Sequence, residues 1–433
     1  MEMTGTPPIR AGSAGERKGL FLRAIRNACG FIALGLAPVL VPGTSSWAAE
    51  WTMTPSIAIT EEYNSNVLFA RRNELHDFIT RVSPSLEGRR DTEASRMSFD
   101  VVLRGEKYAL NPELDTIDGN ARLSWTRSWT PRFQSSLGAL AARDQTLNTE
   151  LDEIGVVAPR EERNRFGVDG SVLFALTERW SLGGSLLARH DQYPDDLSPD
   201  LTALAAGFNP TWRITERDTG GVVLSFSRAD YENNTLDRTV SAGLSWERML
   251  SDTERFSLQA GYRTTSLDQE VLFPRLVRNP DGSFRFRVER RSVSFTDDGF
   301  TFNARLEKDW TPRLSTSLNA GREHTSTSDA TSVDRNFVRT ATRFRLTERA
   351  ALRVEIGYDC TTELGARPTD THYFRGAPSV SCQVTPHIAV SLGAAYEYAY
   401  EDRAVDPYGR DRFRTWISLS SSWPRLWGKL GSM

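Results

Sequence analysis

The chain has 433 residues, of which 39% are hydrophobic, and a formal net charge of −3 at pH 7. A near-neutral balance argues against a nucleic-acid binder, which would show a basic face. Mean hydropathy is −0.44, and beyond the leader no stretch approaches the ~18–20 apolar residues of a membrane helix. Yet there are 11 Trp, 21 Phe and 11 Tyr. Low hydropathy with many aromatics is the balance of a transmembrane β-barrel, in which only every second strand residue meets lipid.

The first element is a leader. Arg17, Lys18, Arg23 and Arg26 precede an apolar run from Cys29 to Val41, and Pro42, Gly43, Ser46 and Ala48 follow. This is the layout of a secretory signal peptide, residues 1–48, with cleavage after Ala48 or Ala49. The run is too short for an anchor, and with no Cys at the cleavage point a lipoprotein is not indicated. The mature chain, 49–433, is expected beyond the inner membrane. It shows no linker or composition break, so it reads as one transmembrane β-barrel of the bacterial outer membrane.

After Trp51, alternating segments are punctuated by a recurring phrase. It stands at Trp129-Thr130-Pro131-Arg132, Thr177-Glu178-Arg179, Thr215-Glu216-Arg217, Thr253-Glu254-Arg255, Trp310-Thr311-Pro312-Arg313, Thr347-Glu348-Arg349 and Thr385-Pro386-His387. A spacing of roughly 35–60 residues is that of a long hairpin with its loops. Short polar connections between alternating segments are hairpin turns. A further short turn, without the phrase, is expected around Arg89–Ala94. The longest connections, near Arg143–Arg163 and Asp268–Arg290, are rich in Asp, Glu, Asn, Pro and Arg and read as solvated extracellular loops. The whole gives an all-β fold: an antiparallel up-and-down barrel of about eighteen strands, with about eight short turns at the periplasmic end and nine longer loops at the other.

Period two assigns faces. Leu182, Gly184, Leu186 and Ala188 alternate with Ser181, Gly183, Ser185 and Arg189; Leu352, Val354, Ile356 and Tyr358 alternate with Arg353, Glu355, Gly357 and Asp359. The same holds for Phe256, Leu258, Ala260 and Tyr262, and for Ile388, Val390, Leu392, Ala394 and Tyr396. A soluble sandwich also alternates, but its strands are shorter and its second face is not Ser-, Gly- and Arg-rich. Trp129, Trp180, Trp246, Trp310 and Trp423 lie at or beside the short turns, whereas Tyr63, Tyr108, Tyr231, Tyr358, Tyr396, Tyr398 and Tyr400 lie near the opposite strand ends. Two aromatic girdles at the headgroup levels are therefore expected.

The other face is the lumen. It should carry Arg96, Arg104, Arg122, Arg189, Arg263, Arg305, Arg339, Arg343, Arg345, Arg353, Arg375 and Arg414, with Asp100, Glu106, Asp169, Glu247, Glu307, Glu355 and Glu397. On the lipid face an Arg or Lys would cost about 2–4 kcal/mol at midplane. These residues either stiffen a solvated wall as ion pairs or line a slightly cationic conduit. The lining candidates are Arg305, Arg339, Arg343, Arg345, Arg353, Arg375, Glu307 and Glu355, and the cluster Arg339, Arg343 and Arg345 on one strand, next to Arg353 on its neighbour, is the best local patch. Cys360 and Cys382 fall at opposite ends of neighbouring strands, about 30 Å apart by strand rise, too far for a disulfide; free thiols on the lipid face are expected.

No catalytic constellation stands out. Outer-membrane barrels can carry Ser, His and Asp hydrolase sites, but here Ser and Asp are scattered. His76, His190, His324, His372 and His387 read as lying in loops or at turns without metal-ligand spacing. There is no G-x-S-x-G, H-E-x-x-H or Walker loop, and no C-x-x-C-H, so no cofactor or metal is expected.

The segment Thr54-Pro55-Ser56-Ile57-Ala58-Ile59-Thr60-Glu61-Glu62-Tyr63-Asn64-Ser65-Asn66-Val67-Leu68-Phe69 resembles the opening strand of bacterial outer-membrane barrels associated with exopolysaccharide and exosortase loci, with Ser65 where an Asp is common. The resemblance implies an export pore for a secreted or surface polysaccharide, acting with a periplasmic polysaccharide-export protein. A general or small-solute porin, or a structural barrel sheathing a partner, stands as the alternative. Tyr63-Asn64-Ser65-Asn66 is either a turn former or a contact for sugar hydroxyls.

Overall fold

The computed structural model describes residues 51–195, 197–278, 284–364, 369–402 and 407–423, with backbone alone for 271–291. The leader and its expected cleavage point lie outside them. The strands run β1 (Trp51–Asn64), β2 (Asp77–Asp91), β3 (Ser95–Tyr108), β4 (Thr116–Thr130), β5 (Phe133–Gln145), β6 (Glu162–Ala175), β7 (Trp180–Gln192), β8 (Leu201–Arg213), β9 (Asp218–Tyr231), β10 (Leu236–Ser251), β11 (Glu254–Arg278), β12 (Phe284–Thr311), β13 (Leu314–Ser326), β14 (Ser332–Arg345), β15 (Ala350–Leu364), β16 (Asp370–Gln383), β17 (Ile388–Asp402) and β18 (Tyr408–Ser422). Between β5 and β6 stands one helix, α1 (Thr146–Ile154). Every strand pairs antiparallel with its chain neighbours, and β1 pairs with β18, so the sheet of 18 strands closes on itself. Strand spacing and a usual tilt give a backbone diameter of roughly 35 Å.

The short connections fall at 92–94, 131–132, 176–179, 214–217, 252–253, 312–313, 346–349 and 384–387. All are at one rim, where the first and last strands also meet. The seven repeated phrases and the expected turn after Arg89 account for all eight. The phrase has a physical reason: the Thr hydroxyl accepts the backbone N–H groups two and three residues on. Thr177 takes those of Arg179 and Trp180 (3.2 and 3.0 Å), and Thr347 those of Arg349 and Ala350 (3.2 and 3.0 Å). The carbonyl of the third phrase residue then accepts an N–H from the next hairpin, as Arg179 does from Arg213 and Arg349 from Gln383. At the fifth turn Ser251 takes the capping place, accepting the Thr253 N–H at 3.3 Å.

Alternation separates the two faces along the wall, except at the β13–β14 end, where outward-parity His324 and Asp334 meet Asp237 and Arg263. Leu186, Leu244 and Leu392 point outward at 68%, 67% and 61% exposure, a band that only lipid can cover without a large hydrophobic cost. The opposite face encloses the Arg and acid residues. An even strand count with both ends at the short-turn rim completes the pattern of a bacterial single-chain barrel. The chain is an outer-membrane β-barrel. Cys360 and Cys382 are free, and both stand on the outward parity of β15 and β16.

Two expected loops carry regular secondary structure. Residues 268–278 and 284–290 continue as strand: β11 and β12 reach 25 and 28 residues and stay paired from Glu254↔Lys308 to Arg278↔Phe284. Pairing to the flanking strands stops at Asp268 and Phe302, so the hairpin rises alone beyond the rim. The charges that suggested solvent alternate in sequence with Phe284, Phe286 and Val288, a two-residue period suited to a ribbon. The second case, residues 143–163, turns into the barrel.

Candidate functional site

α1 is nine residues, about 14 Å long. Leu147, Leu151 and Ile154 recur at helical spacing, so one side is apolar. Gly155 ends the helix at φ 72°, and its N–H bonds the carbonyls of Glu150 and Leu151 (3.0 and 3.2 Å). The strands that launch it, β5 and β6, stand across the ring from β14 and β15. Even so, α1 is fastened to that far wall. Leu147 and Leu151, 2% and 0% exposed, pack with Phe69, Tyr373 and Ala399. Arg339 Nη2 donates to the Asp152 and Glu153 carbonyls (2.9 and 3.2 Å), Thr361 Oγ1 to the Ile154 carbonyl (3.1 Å) and Arg412 Nη1 to Asn148 Oδ1 (3.0 Å). Arg375 pairs with Asp152. A Cβ on Gly155 would come 2.7 Å from that of Asp359. The lumen is therefore crossed by a plug.

Two further segments complete it. The β1–β2 loop folds inward, placing Phe69 against α1 at φ 48° with Arg412 over its ring at 5.1 Å. Asn66, fully buried, organises this loop: its amide donates to the Ala70 and Asp411 carbonyls (2.9 and 3.0 Å), and its Oδ1 accepts the Ala70 N–H (2.8 Å). Asn64 Oδ1 accepts the Asn66 N–H at 3.0 Å. Tyr63 and Asn64 end β1, and Asn64 and Asn66 hold the turn that follows. The third segment is the β13–β14 end, which leaves β12 beyond Arg322 and bends inward. Its tip carries Ala330 at φ 62°, packed on Leu201, Ala229 and Tyr231, and Tyr231 Oη donates to the Thr327 carbonyl (2.9 Å). Ser328 N–H donates to Glu150 Oε1 at 3.0 Å, joining the tip to α1.

Glu150 is held almost without water. Its Oε2 has no hydrogen-bond partner, and burial pushes its carboxyl up to about 7, against the lowering effect of the Ser328 donors and the Arg163 charge. Burial likewise raises the Tyr193 phenol in the neighbouring loop.

The lumen charges form chains of pairs. Glu397, 0% exposed, accepts Arg412 Nε at 2.5 Å and Arg414 Nη2 at 2.6 Å. Asp359 takes Arg335 Nε at 2.7 Å and Arg339 Nη2 at 3.4 Å. Arg163 binds Asp144, and Arg81 bridges Glu62 and Glu106. Near the loop rim Asp334 receives Arg263 and Arg322, and Arg263 also reaches Asp297. His324 lies between Asp237 (3.2 Å) and Asp334 (3.3 Å). It is thus a buried strand residue at the plug, not a loop histidine; His190 in β7 and His372 in β16 are strand residues as well. Ser326 and Ser332 hydroxyls donate to Asp237 rather than to His324, so the cluster is a latch of β13–β14 onto β10.

The lining candidates separate into two levels. Arg305, Arg339, Glu355 and Arg375 line one cleft of about 360 Å³ beneath α1, together with Asp152, Asn319 and Tyr373. Arg305 pairs with Glu307 (2.5 Å), and Arg353 Nε with Glu355 (2.6 Å). Closer to the turns, Arg343 and Arg353 are direct cross-strand partners, and both border a second cleft of about 470 Å³ that includes Glu307. Arg345 stands at the turn rim, exposed. Asp152, Glu150, Arg335 and Arg412 are site residues that strand parity alone did not single out. The helix signal, Leu147-x₃-Leu151-x₂-Ile154-Gly155, was the cue for α1.

On the outside, Trp129, Trp180, Trp246, Trp310 and Trp423 stand exposed toward the turn rim. Trp180 stacks on Trp212 at 5.6 Å, and Lys308 lies 4.2 Å over Trp310. Tyr358, Tyr396 and Tyr398 are outward and exposed. Tyr108 and Tyr231, in contrast, are buried at 3% and 5%, because their parity is inward and the loops cover them.

No family model and no curated protein sequence matches the chain. Among solved structures it is similar to the outer membrane protein opdK from Pseudomonas aeruginosa, at 11% identity and TM-score 0.42, over 86% of this chain and 99% of that one. The siderophore receptor PiuA from Acinetobacter baumannii aligns at 9% identity and TM-score 0.45, over 85% and 82%. OccAB3 from Acinetobacter baumannii aligns at 8% and 0.43, over 87% and 100%.

Proposed function

We propose that this barrel is a gated hydrophilic pore of the outer membrane that passes a secreted or surface polysaccharide. The observation that carries the pore reading is the lumen. Its wall is ion-paired and polar, and the helix that blocks it is held at its C-terminal end by exchangeable polar contacts from Arg339, Arg375 and Thr361. Leu147 and Leu151 dock the body of α1 on an apolar cluster, whereas the polar fastenings at its C-terminal end can be replaced by water or by solute.

The polymer, and a periplasmic polysaccharide-export protein as partner, rest on the resemblance of residues 54–69. In that segment Asn66 and Phe69 build the plug and leave sugar recognition to the lumen wall. The five Trp at the turn rim suit a membrane anchor at the inner headgroup level. Deletion of the gene tests this reading: loss of surface polymer, with nucleotide-sugar intermediates accumulating, is expected, and unchanged secretion overturns it.

A small-solute porin is the second reading, favoured by the inward loop itself, which narrows the lumen beside a cleft of about 360 Å³. It predicts altered uptake of small nutrients with polymer secretion untouched. The occupied lumen speaks against a sheath around another protein.

A further inference from the structure

We propose that the cleft beneath α1 is a binding site for carboxylate-bearing saccharides, and that its occupation unlatches the plug. The proposal rests on the pore reading and adds to it the charge class of the cargo and the trigger for opening.

The cleft is lined by Arg305, Asn319, Arg339, Tyr373 and Arg375, and one side is Asp152 of α1. Its other acids are already paired: Glu355 with Arg353, and Asp359 with Arg335 and, more loosely at 3.4 Å, with Arg339. Asp152 is thus the acid of the cleft that rides on the plug, and it remains 48% exposed beside Arg375. Arg339 holds α1 through two backbone carbonyls of the last turn, where a helix leaves acceptors free and its dipole is negative. A carboxylate is a stronger partner for a guanidinium than a carbonyl is, and can be gripped by both fork nitrogens. An acidic sugar in the cleft would therefore draw Arg339 from the helix end, and would compete with Asp152 for Arg375.

The closed arrangement leaves groups ready for this exchange. Tyr373 Oη, Arg375 Nε and Asn319 Oδ1 are buried without hydrogen-bond partners. Arg375 Nε lies 3.8 Å from Glu397. An amide and a pair of guanidiniums suit the hydroxyls and carboxylate of a uronic acid, and the Tyr373 ring, covered by Leu147 and Leu151 while the plug is closed, becomes a face for the sugar once α1 lifts. The same cations in contact with Asp152 fasten the plug.

The test uses the full mature barrel in planar bilayers, with trigalacturonate or maltotriose added at the short-turn side. Trigalacturonate is expected to raise open probability at least tenfold, and maltotriose to leave it unchanged. Arg375→Gln should open more at rest and lose the trigalacturonate response. Asp152→Asn should also open more at rest but bind trigalacturonate several-fold more tightly, because the internal competitor is gone. Heat-dependent gel migration confirms that each variant is folded. Equal responses to the two sugars, no response in the wild type, or an unaltered response in Arg375→Gln would each overturn the proposal. Polymer secretion in a deletion strain is read separately, so a barrel that answers to trigalacturonate while secretion is unaffected would refute the cargo and keep the site.

Discussion

Arg412 and Glu397 face one another across the β17–β18 ladder, Nε to Oε2 at 2.5 Å, with both side chains sealed from solvent, while the same guanidinium reaches Asn148 of α1 at 3.0 Å. One ion pair thereby belongs to the wall and to the plug. Arg414 and Arg375 add a second and third cation around Glu397. Breaking such a buried group from one side leaves the remaining charges uncompensated.

Glu397→Ala should therefore lower barrel stability by roughly 3–5 kcal/mol. The heat-modifiability midpoint should fall, and α1 should gain hydrogen exchange because the Arg412 contact to Asn148 loosens. An unchanged midpoint would show that the three arginines are held by other groups.

Leu151→Ala acts on the plug alone. Leu151 is fully buried against Phe69 and Tyr373, so truncation should weaken docking of α1 by about 2–5 kcal/mol. Hydrogen exchange should rise in 146–155 and remain slow in the strands.

Gly155→Val meets two obstacles at once. The backbone is left-handed there, and a Cβ would press on Asp359. Strain on the order of 1–2 kcal/mol, with the added clash, should detach the end of α1. Limited proteolysis is expected to cut within 155–161 in the variant and not in the parent.

Acidity should tighten the plug. Glu150 titrates near 7 when closed, against an ordinary value of 4.5. The closed form therefore holds its proton to higher pH than the open form. Below about pH 4.5 both are protonated and the preference for closure is complete; it declines as pH rises from 4.5 to 7. Arg163 favours the ionised form and Asp329 opposes it, with Ser328 as donor. The change is on the order of 3 kcal/mol at most. Open probability should rise between pH 5 and pH 7.5 by about tenfold or more, and Glu150→Gln should flatten the profile.

Strand count, turn positions and faces were legible because lipid outside and water inside impose a strict two-residue alternation on each wall segment, and because Thr-x-Arg has a local turn mechanism. Arg339 and Arg375 were recognisable as inward for the same reason. What they touch was not, since α1 reaches them from across the ring, and nothing in a local pattern reports a contact between residues 152 and 375. The acidic, Pro-containing composition of 143–163 suggested solvent, although the helical recurrence of Leu147, Leu151 and Ile154 with a glycine stop lay within it. His324 was hidden by the bend of β13–β14, which places a strand's outward parity against the inner face of β10 and β11.

The most direct test of a plugged hydrophilic pore is single-channel conductance of the mature barrel beside a variant in which residues 146–160 are replaced by a short Gly-Ser linker. The account predicts small, intermittent conductance for the parent and large, steady conductance for the variant. Equal traces, whether both open or both silent, would contradict it.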